Sequence, residues 1–412
     1  MKKFLLIVVL SCSCLRMQAQ VIPGIEVLRE NGFEELLGKR VGLVTNPSGV
    51  DRQLRSTIDI LFDAPEVNLV ALYGPEHGVR GDAYAGDHVE SAKDARTGLP
   101  VYSLYGPTRQ PTPEMLKGVD VMVYDIQDVG TRSYTFISTL GLVMRACAEA
   151  DIEVLVLDRP NPLGGNKVEG PLVQDGFYSF VSEFRIPYIY GMTVGELAGF
   201  INEEGLNRGQ KGDLPHRKCR LNVIPMRGWE RWMLFRDTGL PWILPSPNIP
   251  SEQSALGYAA AGIAGEFGHL NIGVGYTIPF QTFAAEWIDA DALKNRLDSY
   301  ELPGVAFRTI HYKPISGSKQ GKLLHGVQFF FTDYEKAPVT LLQFYVMQAV
   351  QELYPSRNPY PLNKTRMLDI VCGTDYVRTT FGKRLKVEDI LEYWNRDVDD
   401  FKAVSQQYYL YR

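Results

Sequence analysis

Between residues 41 and 158, short runs that are apolar at nearly every position alternate with stretches whose apolar residues recur at helical spacing. VGLVTN (41–46), NLVALY (68–73), PVYSLY (100–105), VDVMVYDI (119–126) and IEVLVLD (152–158) have the continuous apolar character of strands covered on both faces. RSTIDILFD (55–63), PEMLKG (113–118, opened by a proline) and SYTFISTLGLVMRACAEA (133–150) read as the intervening helices. This alternation predicts an α/β fold with a Rossmann-like, mostly parallel sheet. It continues through the helical TVGELAGFINEE (193–204), the strand-like LNVIPM, the proline-rich PWILPSPNIPS (241–251) and the helical SEQSALGYAAAG. Past about residue 280 the pattern changes to HGVQFFFTD, the amphipathic VTLLQFYVMQAVQELY and a helical stretch from Lys386. The expected organisation is a Rossmann-like domain over 21–280 and a smaller α+β domain over 281–412.

The polar residues gather after strand ends, in TNPSG (45–49), GPEHGVRG (74–81), QDVGTRSY (127–134) and DRPNPLGGN (158–166). Consecutive strands of a parallel sheet point the same way, so these four loops converge on one rim, where ligands of such folds bind. A carboxylate and an imidazole, Glu76 and His77, thus end a buried strand on the floor of a candidate pocket. Arg80, Arg132 and Arg159 follow three different strands onto that rim. Guanidinium groups there suit a substrate bearing a carboxylate, although pairing with nearby aspartates is the structural alternative for each. Tyr84, Tyr105, Tyr134, Tyr190 and Trp242 could offer flat apolar surface to a sugar ring, or simply pack in the core.

Several chemistries lack their sequence signatures. The first strand ends in TNPSG rather than G-x-G-x-x-G, and no G-x-x-x-x-G-K-[ST] occurs. No G-x-S-x-G occurs, and Ser316-Gly-Ser-Lys319 matches S-x-x-K only within a Gly/Ser loop. His77 and His88, with Asp82 and Asp87 between them, could hold an ion, but no H-E-x-x-H supports it. No cofactor is implied. Two separated carboxyl groups on one rim are what glycoside hydrolysis requires, one to protonate the leaving oxygen and one to act as base, nucleophile or charge stabiliser. Glu76 is the first candidate and Glu169, in NKVEGPLV, the second; Asp125, Asp128 and Asp158 compete as strand-end carboxylates that often brace loops.

The whole chain of 412 residues is long enough for two domains, and its net charge of −5 argues against nucleic acid as a partner. MKKFLLIVVLSCSCLRMQAQ has the shape of an export signal, with two lysines, an apolar core from Phe4 to Leu10 and a small-residue exit. Cleavage after Ala19 predicts release to the periplasm or the exterior; Val-Leu-Ser-Cys at 9–12 alternatively offers Cys12 for a lipid. Cys147, Cys219 and Cys372 are scattered and read as small buried hydrophobes, as neither a disulfide framework nor a metal cluster.

Five motifs in order, GPEHGVRG, YDIQDVGTRSYT, DRPNPLGG, VEGPL and PSPNIPS, resemble the NamZ-type exo-β-N-acetylmuramidases. The resemblance implies a Rossmann-like domain with a smaller C-terminal domain, and a cleft between them. It implies release of N-acetylmuramic acid from the non-reducing end of peptidoglycan fragments, with the two catalytic glutamates at Glu76 and Glu169. His77 and Asp128 are expected to orient or tune that pair. Arg80, Asp125, Gln127, Arg132, Tyr134, Asp158, Arg159 and Asn161 are expected to hold the sugar and its lactyl carboxylate. The chain departs from the family pattern at NIGVGYTIPFQ (271–281), where Val274 and Gln281 replace an arginine and a glutamate; Glu266 is a possible compensation. Retention, inversion and substrate assistance all remain open. So do two other readings, a non-catalytic muropeptide binder and a metal-dependent hydrolase built on His77 and His88.

Overall fold

The computed structural model describes residues 20–81, 92–206, 218–357, 359 and 365–412. The export-like segment with Cys12 and Cys14, and the loop residues Asp82, Tyr84, Asp87 and His88, lie outside them.

Strands β1 (Arg40–Thr45), β2 (Asn68–Gly74), β3 (Ala92–Lys93), β4 (Pro100–Ser103), β5 (Val121–Asp125), β6 (Glu153–Leu157) and β7 (Arg220–Ile224) form one sheet in the order β3-β4-β2-β1-β5-β6-β7. All neighbours are parallel except the short edge strand β3, which runs antiparallel to β4. The strand order reverses between β1 and β5, so the Rossmann-like expectation holds down to its switch point.

Helices α1 (Gly24–Glu30) and α2 (Thr57–Asp63) cover one face, and α3 (Phe136–Glu149) and α4 (Val194–Glu204) the other. Strand β5 shows why its sequence is apolar throughout. Val121 and Val123 join Ile25, Leu28, Ile58 and Leu61 on the first face. Met122 and Tyr124 join Ile137, Leu140, Leu197 and Ile201 on the second. Each fully buried aliphatic side chain contributes about 1.5–3 kcal/mol, so a strand with no polar side is stable only when sandwiched. The helix starts are fixed locally. The Ser56 hydroxyl accepts from the Asp59 amide at 3.1 Å, and Thr193 with Glu196 closes a capping box on α4; such caps contribute about 1 kcal/mol each.

The stretch PEMLKG forms turns rather than the expected short helix. The Leu116 amide reaches Thr112 O, but those of Lys117 and Val119 fall back to Glu114 O and Leu116 O. The Met115 carbonyl is taken by the Tyr73 hydroxyl at 2.5 Å, and Gly118 turns the chain at φ +84°.

The C-terminal body comprises α5 (Glu252–Gly265), β8 (Thr282–Ala285), α6 (Ala290–Asp298), β9 (Val305–Tyr312), β10 (Leu324–Phe331), α7 (Leu342–Leu353) and α8 (Thr365–Cys372), with an antiparallel sheet ordered β8-β10-β9. Helix α5 buries Ala255, Ala259, Ala260 and Ile263 among Leu342, Val346 and Leu368. The Ala264 amide also donates to Gln343 Oε1 at 2.9 Å. The helix therefore packs with the C-terminal elements although it precedes residue 281. No helix among the described residues is long and apolar enough to cross a membrane.

Candidate active site

Strand β2 ends in a turn whose backbone is under local strain. The Gly78 amide donates to Pro75 O at 3.1 Å, with His77 at φ +77° and Gly78 at φ +76°. A non-glycine residue held in that left-handed region costs on the order of 1 kcal/mol, and such strain concentrates at functional sites. The turn leaves His77 buried and Glu76 half-buried on the rim.

Both residues line a cleft of about 520 Å³ between the parallel sheet and the C-terminal body. The sheet side adds Tyr105 and Arg109 from the loop after β4, and residues 133–136 from the approach to α3. The far side is built by Tyr258 and Glu266 of the α5 region, Phe280, and Met367 and Ile370 of α8; Ser179, Phe180, Val181, Ser246, Asn248 and Ile249 complete it.

Two features give the cleft its chemistry. One wall is a run of rings in edge-to-face contact, with Tyr134 5.0 Å from Phe136 and 5.5 Å from Tyr258, which lies 5.0 Å from Phe280. Aromatic faces of this kind suit the apolar surface of a sugar. The other is a set of polar groups among those rings. Tyr105 donates to the Glu76 carboxylate, and its phenol is pushed up to about 12 by burial first and by Glu76 second. The Ser133 hydroxyl bridges Tyr188 at 2.9 Å and Tyr258 at 3.1 Å. The hydroxyls of Tyr134 and Ser179 are buried without a hydrogen bond of good geometry, although Tyr134 is directed at Ser246. Unsatisfied buried hydroxyls in a cleft wall are groups a polar ligand can complete.

Behind Tyr134 lies Asp128. Its Oδ2 accepts from the Gly130 amide at 2.7 Å and from Tyr190, while Oδ1 has no partner among the described residues. Burial raises its carboxyl to about 6 against those hydrogen bonds. Burial above all, and then the charges of Asp128 and Glu76, raise the Tyr134 phenol far above its ordinary value.

Residues 41–253 match the family described as exo-beta-N-acetylmuramidase NamZ, N-terminal, and residues 256–411 match exo-beta-N-acetylmuramidase NamZ, C-terminal. The chain belongs to the NamZ exo-β-N-acetylmuramidase family. It is 42% identical over 392 residues to the peptidoglycan beta-N-acetylmuramidase NamZ of Bacillus subtilis strain 168, covering 95% of this chain and 92% of that one. Two solved DUF1343 family proteins of Bacteroides fragilis NCTC 9343 share the fold. One matches with a TM-score of 0.90 and 53% identity over 95% of this chain and 99% of the other. The second matches with a TM-score of 0.77 and 30% identity over 96% and 99%.

The NamZ motifs divide between lining the cleft and building it. Glu76, His77 and Tyr134 line it, with Asp128 directly behind. Glu169 does not line it. Its Oε1 accepts from Lys167 at 3.3 Å and the Val339 amide at 3.2 Å, and its Oε2 from the Thr340 amide and hydroxyl, both at 2.7 Å. That arrangement ties the VEGPL motif to the segment leading into α7.

The three rim arginines are likewise engaged elsewhere. Arg80 forks onto Asp94 at 2.9 and 3.1 Å and reaches Asp59. Arg159 grips both oxygens of Asp125, at 2.5 and 3.0 Å, and the Val50 carbonyl. Arg132 is buried and donates to the carbonyls of Pro171, Ile186 and Val371, the last at the C-terminal end of α8 where carbonyl groups attract a cation. Desolvation lowers its guanidinium to about 10.

The remaining candidates brace the rim. Gln127 donates to the carbonyls of Asp128 and Pro160, and Asn161 to that of Met192. Asp158 accepts from Thr193, Tyr411 and the amides of Arg159 and Gly195. These contacts also fill the switch point between β1 and β5, where Ser48, Val50, Gln127 and Arg159 leave a hollow of only about 20 Å³. The usual nucleotide crevice of the fold is occupied by the protein itself, and the cleft is displaced toward β2 and β4. Among the described residues no group of three or more His, Cys, Asp or Glu side chains is placed to hold a metal ion. His88 and Asp87, on which the metal reading depended, lie outside those residues.

Sequence reasoning passed over Arg109. It is the one Arg or Lys among the described residues that line the cleft, and it sits 4.3 Å from the Phe180 ring centroid. The signal was present. GPTRQPTPE (106–114) follows a parallel strand onto the same rim and carries an arginine, as the loops with Arg80, Arg132 and Arg159 do.

Proposed function

We propose that this chain is an exo-β-N-acetylmuramidase that removes N-acetylmuramic acid from the non-reducing end of peptidoglycan fragments, with the reaction centred on Glu76. The observation that carries this reading is one aromatic cleft holding Glu76, Glu266 and Arg109 together. A glycosidase must supply a proton to the departing oxygen and negative charge to the positive sugar centre that forms. Glu76, oriented by the Tyr105 hydroxyl, is assigned the proton transfer. Glu266 reaches the cleft from the end of α5 and is the other carboxylate among the described residues of its lining. Arg109 is assigned the lactyl carboxylate, the group that separates muramic acid from glucosamine, because a guanidinium pairs with a carboxylate through two parallel hydrogen bonds. Glu169 is assigned to the contact with the segment leading into α7 rather than to the chemistry.

Export, read from the N-terminal pattern, would place the enzyme where wall fragments arise, and Cys12 remains the alternative point of lipid attachment. The reading is tested by incubating the purified protein with a chromogenic β-N-acetylmuramide and the matching β-N-acetylglucosaminide. Release from the muramide in clear excess is expected; no release from either would overturn it.

A further inference from the structure

Beside the cleft lies a second hollow of about 310 Å³ that shares Tyr258, Glu266 and Phe280 with it. The cavities at Leu172 and Phe184, and at Ser48 and Gln127, share no lining residue with the cleft. We propose that this second hollow is the binding site for the leaving saccharide, the N-acetylglucosaminyl unit on the reducing side of the scissile bond and the chain beyond it. The proposal rests on the muramidase reading.

An enzyme that takes a terminal sugar must enclose that sugar and still let the rest of the polymer run out along a continuous path. The two hollows provide such a path. Their shared ridge is the edge-to-face pair of Tyr258 and Phe280, with planes at 82°. Glu266 stands on both sides of it, so one carboxylate of the cleft borders the point where the bond to be broken must lie. The Glu76 charge acts on Tyr134 and the Glu266 charge on Tyr258, and those two rings are 5.5 Å apart.

Beyond the ridge the rings give way to an apolar floor of glycines with Leu270, Ile272 and Val274, and the polar groups gather at Asn271 and on the outer wall. The outer wall is Ser316-Gly317-Ser318-Lys319. This loop is docked against the protein body. The Ile315 amide donates to Gly275 O at 2.7 Å and a Cβ on Gly275 would meet Ser316 O at 2.3 Å, while the Gly321 amide closes the loop on its own Pro314 O at 2.9 Å. A fixed wall carrying two hydroxyls and an ammonium group offers directed donors to sugar oxygens. The loop that resembled S-x-x-K thus acquires a binding role in place of a nucleophilic one.

The test compares substrates that share a glycone and differ in what leaves. Ser318 is exposed, so Ser318→Trp fills the hollow without burying a new group in the core; Lys319→Ala removes the cation without adding bulk. Initial rates are measured on 4-nitrophenyl β-N-acetylmuramide and on the β-1,4-linked N-acetylmuramoyl–N-acetylglucosamine disaccharide and its tetrasaccharide. For Ser318→Trp, kcat/KM on the saccharides falls by about tenfold or more, mainly through KM, while the nitrophenyl substrate stays within about twofold. Lys319→Ala moves the same ratio in the same direction by a smaller factor. Equal losses on all substrates, or no change on any, would overturn the leaving-group site while leaving the hydrolase reading intact. A wild-type protein inactive on every muramide would overturn the hydrolase reading itself.

Discussion

Glu169 accepts hydrogen bonds from both the amide and the hydroxyl of Thr340, each at 2.7 Å, across 171 positions of chain. The Thr340 hydroxyl in turn accepts from Trp394 Nε1 at 2.8 Å, so this carboxylate organises the seam between the sheet domain and α7. Replacing it would leave the Thr340 amide without its acceptor and the buried Lys167 ammonium without its carboxylate, held only by the carbonyls of Glu335 and Ala337.

Glu169→Ala is therefore expected to act on stability, by about 2–4 kcal/mol, through stranded buried donors and a stranded charge. Urea unfolding measures it. At a temperature where the variant is folded, kcat stays within a few-fold of wild type; a loss of several powers of ten with unchanged unfolding would return Glu169 to the chemistry.

The sheet was legible because its strands are apolar on both faces, and a run such as VMVYD has few other stable fates. The rim was legible for the same reason, since parallel strands fix where their loops emerge. What a strand-end residue does there was not legible, because it depends on which way its side chain turns and what meets it. Arg159 and Asp125 share a rim and satisfy each other. Arg132 turns inward to a helix end 239 positions away. Tyr258 and Glu266, eight positions apart along α5 and its C-cap, become cleft wall only when the C-terminal body faces the sheet domain. Glu76 stood out because two flanking residues, Pro75 and Gly78, mark a tight turn whose strain the structure shows at His77.

Stability should rise as the medium is made mildly acidic. Burial lifts Asp158 to about 7 and Asp128 to about 6, from an ordinary 3.8. A folded-state value above the unfolded one adds stability that is complete below the unfolded value and lost as pH rises through the folded one. The more buried of the opposing groups are Asp94, lowered by Arg80, and Glu352, held at about 2 by hydrogen bonds from Lys386, Tyr300 and Arg296 despite burial. Asp120, Glu286, Asp333 and Asp389, nearer the surface, are lowered by their own cationic neighbours. They lose their contribution only below about pH 4. Thermal unfolding followed from pH 8 to pH 5 should show a rising midpoint, and Asp158→Asn should flatten that rise. A midpoint that falls steadily over this window would contradict the protonated state of Asp158.

Arg109→Met should reduce kcat/KM on a β-N-acetylmuramide by roughly 10- to 100-fold, the value of a charge-assisted hydrogen bond, while any activity on the glucosaminide is unchanged. Arg109→Lys should restore part of the loss. Parallel losses on both sugars would show that Arg109 shapes the cleft without reading the lactyl group.

The most direct test of the account is the turnover of Glu76→Gln, a substitution that preserves shape and removes the transferable proton. On an N-acetylmuramoyl disaccharide, kcat should fall by about 10²–10⁴-fold, the range for loss of a positioned acid or base, with the unfolding midpoint within a few degrees of wild type. Turnover within about tenfold of wild type would place the proton transfer on another residue and contradict the account.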